Sequence, residues 1–158
     1  MDRAGNLPYW MMVGTAWNIE LEVRGGIYCF PYRAGFVGIG EHGGWAPVLR
    51  ARFGDPAAGE VDAAALCALA RGQYVEKHAA TAWGGMRFLI AEHRAALPGL
   101  LADLDLAWRQ GALEVAADGS WRSRPLWEWP LSTQADLLGR HLGRAFWRRL
   151  GEDFQGAP

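Results

Sequence analysis

The sequence predicts an α+β fold: a small antiparallel sheet with an N-terminal hairpin, several helices, a second Trp-rich hairpin and a C-terminal helix, in a single domain spanning residues 1–158. Three observations predict it. Apolar and polar residues alternate over 18–23, the pattern of a half-buried strand. Two short apolar runs, 27–32 and 35–39, flank a tight turn at Arg33-Ala34-Gly35. Beyond Asp62, apolar residues recur at helical spacing between capping and stop signals. A chain of 158 residues can bury a core without metals or disulfides.

Taken in order, residues 1–8 read as a lead-in. Ile19, Leu21 and Val23 alternate with Asn18, Glu20 and Glu22, and Gly25-Gly26 then ends the strand. In the hairpin that follows, Pro31 implies an edge or a bulge, because it cannot donate to a ladder. A glycine-rich stretch from Gly38 to Gly44 precedes a short helix over 45–53 that carries Arg50 and Arg52. Asp62 is an N-cap for a helix over 63–71, with Gly72 as its stop. Residues 73–83 fit a helix or a strand. A helix over 86–97 ends or kinks at Pro98. The next, 100–109, sets Leu101, Leu104 and Trp108 on one stripe and closes at Gly111. Asp118-Gly119 is the strongest hairpin turn in the chain, between 112–117 and 120–124. The last helix starts near Ser132 or Thr133, where Thr-x-x-Asp resembles a capping box, and runs to Leu150. A frayed tail over 151–158 is expected.

Composition excludes several classes. The chain is 51% hydrophobic and 21% charged, which argues against disorder. No apolar run reaches the roughly 20 residues that cross a bilayer. Residues 7–17 are apolar but interrupted by Pro8, Gly14 and Thr15, so a secretory signal is not expected. The two cysteines, Cys29 and Cys67, have no zinc or redox spacing and read as reduced thiols of a cytoplasmic protein. A net charge of −1 argues against a uniformly basic nucleic-acid-binding surface, though a local patch is compatible with it. Lys77 is the sole lysine; arginine supplies the remaining basic residues. Nine tryptophans require a core, an interface or a stacking surface.

Gly26-Ile27-Tyr28 and Phe36-Val37-Gly38, seven residues apart, form a hairpin that resembles the signature of the GIY-YIG nucleases over about residues 24–53. The second motif has Phe36 where that family usually has tyrosine. The resemblance implies metal-assisted phosphodiester hydrolysis. Tyr28 would help activate the attacking water, and Arg50 or Arg52 would contact the phosphate. Glu92, on the helix after Leu89-Ile90-Ala91, would hold Mg²⁺ or Mn²⁺.

Other constellations carry weaker chemistry. Gly38-Ile39-Gly40-Glu41-His42-Gly43 fits G-x-G-x-x-G, but a βαβ context is not expected, and a flexible glycine loop is the simpler reading. His42, His78, His93 and His141 lack the spacing of a zinc site. Arg140, Arg144 and Arg148 recur every four residues and could track a phosphate backbone, or form a solvated face near a helix C-terminus. Arg122 and Arg124 interleave with Trp121, Trp127 and Trp129, which could stack on bases or dock a protein; Trp127 and Trp129 share one strand face and otherwise belong to the core.

Two functions follow from these patterns. One is GIY-YIG-like, divalent-metal-dependent cleavage or nucleic-acid binding. The other is a non-enzymatic protein-interaction module using the Trp/Arg-rich surface. Neither involves a membrane.

Overall fold

The computed structural model describes residues 7–27, 30–32, 35–37, 45–58, 61–69, 73–111, 113–115, 117–123 and 131–156. Within them, the alternation at 18–23 belongs to a helix, not a strand. Helix α1 (Tyr9–Arg24) buries Trp10, Gly14 and Trp17, with Leu21 partly buried, at spacings of three and four. Ile19 and Val23 lie outward, 56% and 75% exposed. The period-2 signal is therefore produced by apolar residues on the solvent side of a 3.6-period element. Gly25 ends α1 at φ +70°, a left-handed cap that glycine adopts without steric cost.

The α+β expectation is overturned. Helices make up most of the described chain: α1, α2 (Trp45–Gly54), α3 (Ala63–Ala68), α4 (Glu76–Glu92), α5 (Leu97–Gly111), α6 (Leu131–Leu142) and α7 (Phe146–Gly156), with 3₁₀ turns at Pro56–Ala58 and Arg94–Ala96. The strands among the described residues are three residues long, in two separate antiparallel ribbons. Strands β1 (Phe30–Tyr32) and β2 (Gly35–Val37) pair Phe30 with Val37. Strands β3 (Leu113–Val115) and β4 (Trp121–Ser123) pair Val115 with Trp121 around the Asp118-Gly119 turn. A two-stranded ribbon is too small to build a sheet with a buried face. Described core side chains come instead from the seven helices and their connections, and Val115 is 62% exposed.

Boundaries move for physical reasons. Residues 73–83 belong largely to α4, which continues through Gly84-Gly85 to Glu92. Those glycines sit where neighbours press closest: a Cβ on Gly84 would lie 2.5 Å from Leu49 Cδ1, and one on Gly85 3.0 Å from the Trp147 ring. Pro98 stands in the first turn of α5 rather than ending a helix, a position where its missing N–H is no loss. The buried stripe of α5 is Leu100 and Leu104, while Leu101 is 42% exposed. Asp62 caps α3 as expected, accepting from the Ala65 amide at 2.9 Å, but that helix stops at Ala68. The single C-terminal helix is two, broken at Gly143, whose φ is +79°. The expected frayed tail is helical to Gly156, anchored by buried Gly151 and Phe154.

The core is organised by aromatic edges. Trp45 on α2 lies between Trp17 of α1 (ring centroids 4.9 Å) and Trp83 of α4 (6.1 Å), and Trp83 meets Phe154 of α7 at 6.0 Å. Such tilted and edge contacts contribute about 0.5–1.5 kcal/mol each beyond the area they bury. Helices α1 and α4 come close at Gly14, where a Cβ would stand 2.4 Å from the Ala82 carbonyl oxygen. No helix among the described residues is long and apolar enough to cross a membrane.

Candidate functional site

The hairpin resemblance selects Tyr28, Arg50, Arg52 and Glu92. Tyr28 lies outside the described residues. Arg50 and Arg52 ride on α2; Arg50 is exposed, whereas the Arg52 Nε is buried with no hydrogen-bond partner among the described residues. Arg52 is close enough to His78, near the start of α4, to depress its pKa electrostatically. Glu92 is exposed in the last turn of the same helix. At about 1.5 Å per residue, it lies about 21 Å further along the axis than His78. Among the described residues, no group of three or more His, Cys, Asp or Glu side chains could hold a metal ion.

The arginine stripe is likewise redistributed. The turn at Gly143 leaves Arg140 on α6, Arg144 in the connection and Arg148 on α7. Arg140 faces Asp103 of α5 at 3.8 Å, and Arg148 pairs with Glu152 at 2.5 Å along its own helix. Arg144 has no ion-pair partner among the described residues. Arg122 occupies β4 opposite Glu114; Arg124, Trp127 and Trp129 lie outside the described residues, as do Cys29 and the Gly38–Gly43 loop.

A different site emerges at the α6–α7 break. Helix α6 is amphipathic, with Gln134, Leu137, Leu138 and Leu142 inward and Ser132, Thr133, Asp136 and Arg140 outward. It is tied to α5 by His141, whose Nε2 lies 2.9 Å from Asp103 Oδ2, and packs along α3. The Gly143 amide donates to the Gly139 carbonyl at 3.0 Å, and the Phe146 amide to the Gly143 carbonyl at 3.2 Å, so the chain reverses within three residues. Between α3, α6 and α7 this leaves a cleft of about 720 Å³. Leu138, Leu142, Phe146 and Trp147 form its apolar lining, Cys67 contributes from α3, and Asp136, Arg140 and Arg144 supply the polar groups. A Cβ on Gly139, which also lines the cleft, would meet nothing within 4 Å.

Cys67 is a buried thiol there. Burial pushes its thiol up to about 12; Trp10 beside it offsets part of the rise and the Asp62 charge adds to it. At neutral pH the reactive thiolate is therefore scarce. The cleft combines hydrophobic surface with guanidinium and carboxylate charge.

The sequence contains signals for this site that the reading of one long helix passes over. Gly143 follows Arg140 and His141, a basic last turn with a glycine just past it, which marks a helix end. The cleft's depth depends on Gly139, four residues earlier, and on the distant Cys67, which no local pattern connects. No protein-family model, curated protein or solved structure matches the chain.

Proposed function

We propose that this chain is a non-enzymatic binding module that captures a ligand in the cleft between α3, α6 and α7. The observation that carries this reading is the cleft itself: about 720 Å³, bordered by buried Leu138, Leu142 and Phe146 and by exposed Asp136, Arg140 and Arg144. That volume falls within the roughly 300–1,000 Å³ of small-molecule sites, which combine apolar walls with a few orienting polar groups. The raised pKa of the buried Cys67 thiol favours binding over covalent catalysis in the cleft.

The test uses Nile red, a neutral apolar fluorophore, with the intact chain and with Gly139→Phe. Binding of one dye per chain, lost in the variant while its circular dichroism is unchanged, supports the reading. Absence of binding, or equal binding by both proteins, overturns it. A parallel incubation with supercoiled plasmid and Mn²⁺ addresses the nuclease alternative. Cleavage abolished by both Tyr28→Phe and Glu92→Gln would replace the binding assignment with an enzymatic one.

A further inference from the structure

We infer that the cleft's ligand is a free amphipathic monocarboxylate, with its hydrocarbon body on the Leu138–Phe146 side and its carboxylate on the Arg144 guanidinium. The inference rests on the binding reading above and adds the ligand's chemical class. Its basis is the distribution of charge around an apolar base. Three ionisable side chains at the rim, Asp136, Arg140 and Arg144, border the cleft. Arg140 is engaged elsewhere, facing Asp103 at 3.8 Å and donating from Nε to the Asp136 carbonyl oxygen at 3.4 Å. Of the two arginines, Arg144 has no ion-pair partner among the described residues, and it sits in the turn after α6, eight residues beyond Asp136.

Arginine's planar fork matches a carboxylate bidentately, and charge-assisted hydrogen bonds are the stronger kind. Asp136 repels an anion placed near the start of α6, so the favourable end is that of Gly143 and Arg144. A dianionic head would meet one unengaged cation and one acidic group, which favours a single negative charge. The body's place is set by Leu138, Leu142 and Phe146, buried side chains whose surfaces border the cleft, and by the room at Gly139 where no Cβ intrudes. Apolar contact there contributes on the order of 25 cal/mol per Å² removed from water.

The experiment is calorimetric titration of the full chain with dodecanoate below its micellar concentration, and with dodecanol as the uncharged isostere. Dodecanoate is expected to bind one per chain and more tightly than dodecanol. Arg144→Gln is expected to weaken dodecanoate by about three- to tenfold, about 0.7–1.4 kcal/mol, and to leave dodecanol unchanged. Gly139→Phe is expected to abolish both. Because Arg144 is exposed, the Gln variant retains the fold, which its thermal melt verifies. Equal affinity of acid and alcohol, or dodecanoate binding indifferent to Arg144→Gln, overturns the carboxylate assignment while Nile red binding leaves the module reading standing. Failure of Nile red and dodecanoate together removes both.

Discussion

The Asn18 side-chain amide donates to the Trp83 carbonyl at 3.1 Å and to the Gly14 carbonyl at 2.7 Å, bridging the backbones of α1 and α4. Both acceptors lie within the helix–helix seam, beside the close approach at Gly14. Asn18→Ala removes both bridging hydrogen bonds, leaving each carbonyl only its intrahelical amide. The expected loss is about 1–2 kcal/mol of unfolding free energy. Urea denaturation at neutral pH measures it, and a change below about 0.5 kcal/mol, the range of ordinary surface substitutions, would show that the bridge contributes nothing.

Two glycines test the same seam and the cleft with one chemical change. At Gly14 an added methyl would stand 2.4 Å from the Ala82 carbonyl oxygen and 2.8 Å from Met86 Cγ. The backbone oxygen cannot move away cheaply, so Gly14→Ala is expected to destabilise by about 1–3 kcal/mol. At Gly139 nothing lies within 4 Å of the new methyl. Gly139→Ala is then expected to stabilise by about 0.5–1 kcal/mol through helix propensity and reduced unfolded-state entropy. Thermal melts of opposite sign are the expected pattern; two melts shifted the same way would contradict the packing.

How much of this is legible in the sequence depends on whether the determining contacts are local. The Asp62 cap, the Asp118-Gly119 turn and the pairing of residues near 30 with those near 37 follow from neighbours in sequence. The fold class does not. Ile19, Leu21 and Val23 alternate, and only the burial of Trp10, Gly14 and Trp17 against α4 reveals a helix there. Residues 73–83 are ambiguous in the sequence because nothing local shows Leu49 and Trp147 packing against Gly84 and Gly85 of one continuous α4. The cleft is hidden for the same reason, since Cys67 and Phe146 come to line one cavity only through tertiary packing.

Tyr74 offers a stabilising substitution that burial alone would not suggest. Its ring packs edge-on against Tyr9 at 5.1 Å, but its buried hydroxyl has no hydrogen-bond partner among the described residues. Burial, followed by the Cys67 and Tyr9 groups, drives its pKa far above the usual phenol value, so it stays neutral at all ordinary pH. An unsatisfied buried hydroxyl costs about 1–3 kcal/mol. Tyr74→Phe keeps the ring contact and removes that cost, and is expected to raise stability by up to about 1 kcal/mol. A loss of stability on urea unfolding would indicate a buried water bonded to the hydroxyl.

His78 sets an acid sensitivity at the start of α4. Its own amide donates to the Val75 carbonyl at 2.9 Å, and its Nδ1 accepts from the Val75 amide at 3.3 Å, which only the unprotonated nitrogen can do. Desolvation lowers its pKa first, then the positive charges of Lys77 and Arg52, against a smaller upward pull from the Gln73 backbone. Because the folded pKa lies below the unfolded value of 6.5, the unfolded chain binds the proton more readily between the two. The stabilising contribution is therefore complete above the unfolded pKa and is lost as pH falls through the folded one. Replacing the imidazole with a neutral amide, His78→Gln, removes this titration. The stability advantage of the parent chain over the variant, read as the difference in urea midpoint, is expected to shrink on going from pH 7.5 to pH 5 (about 1 unit above and 1.5 below the ordinary histidine value). A difference that is constant across that range would mean that Val75 does not depend on a neutral His78.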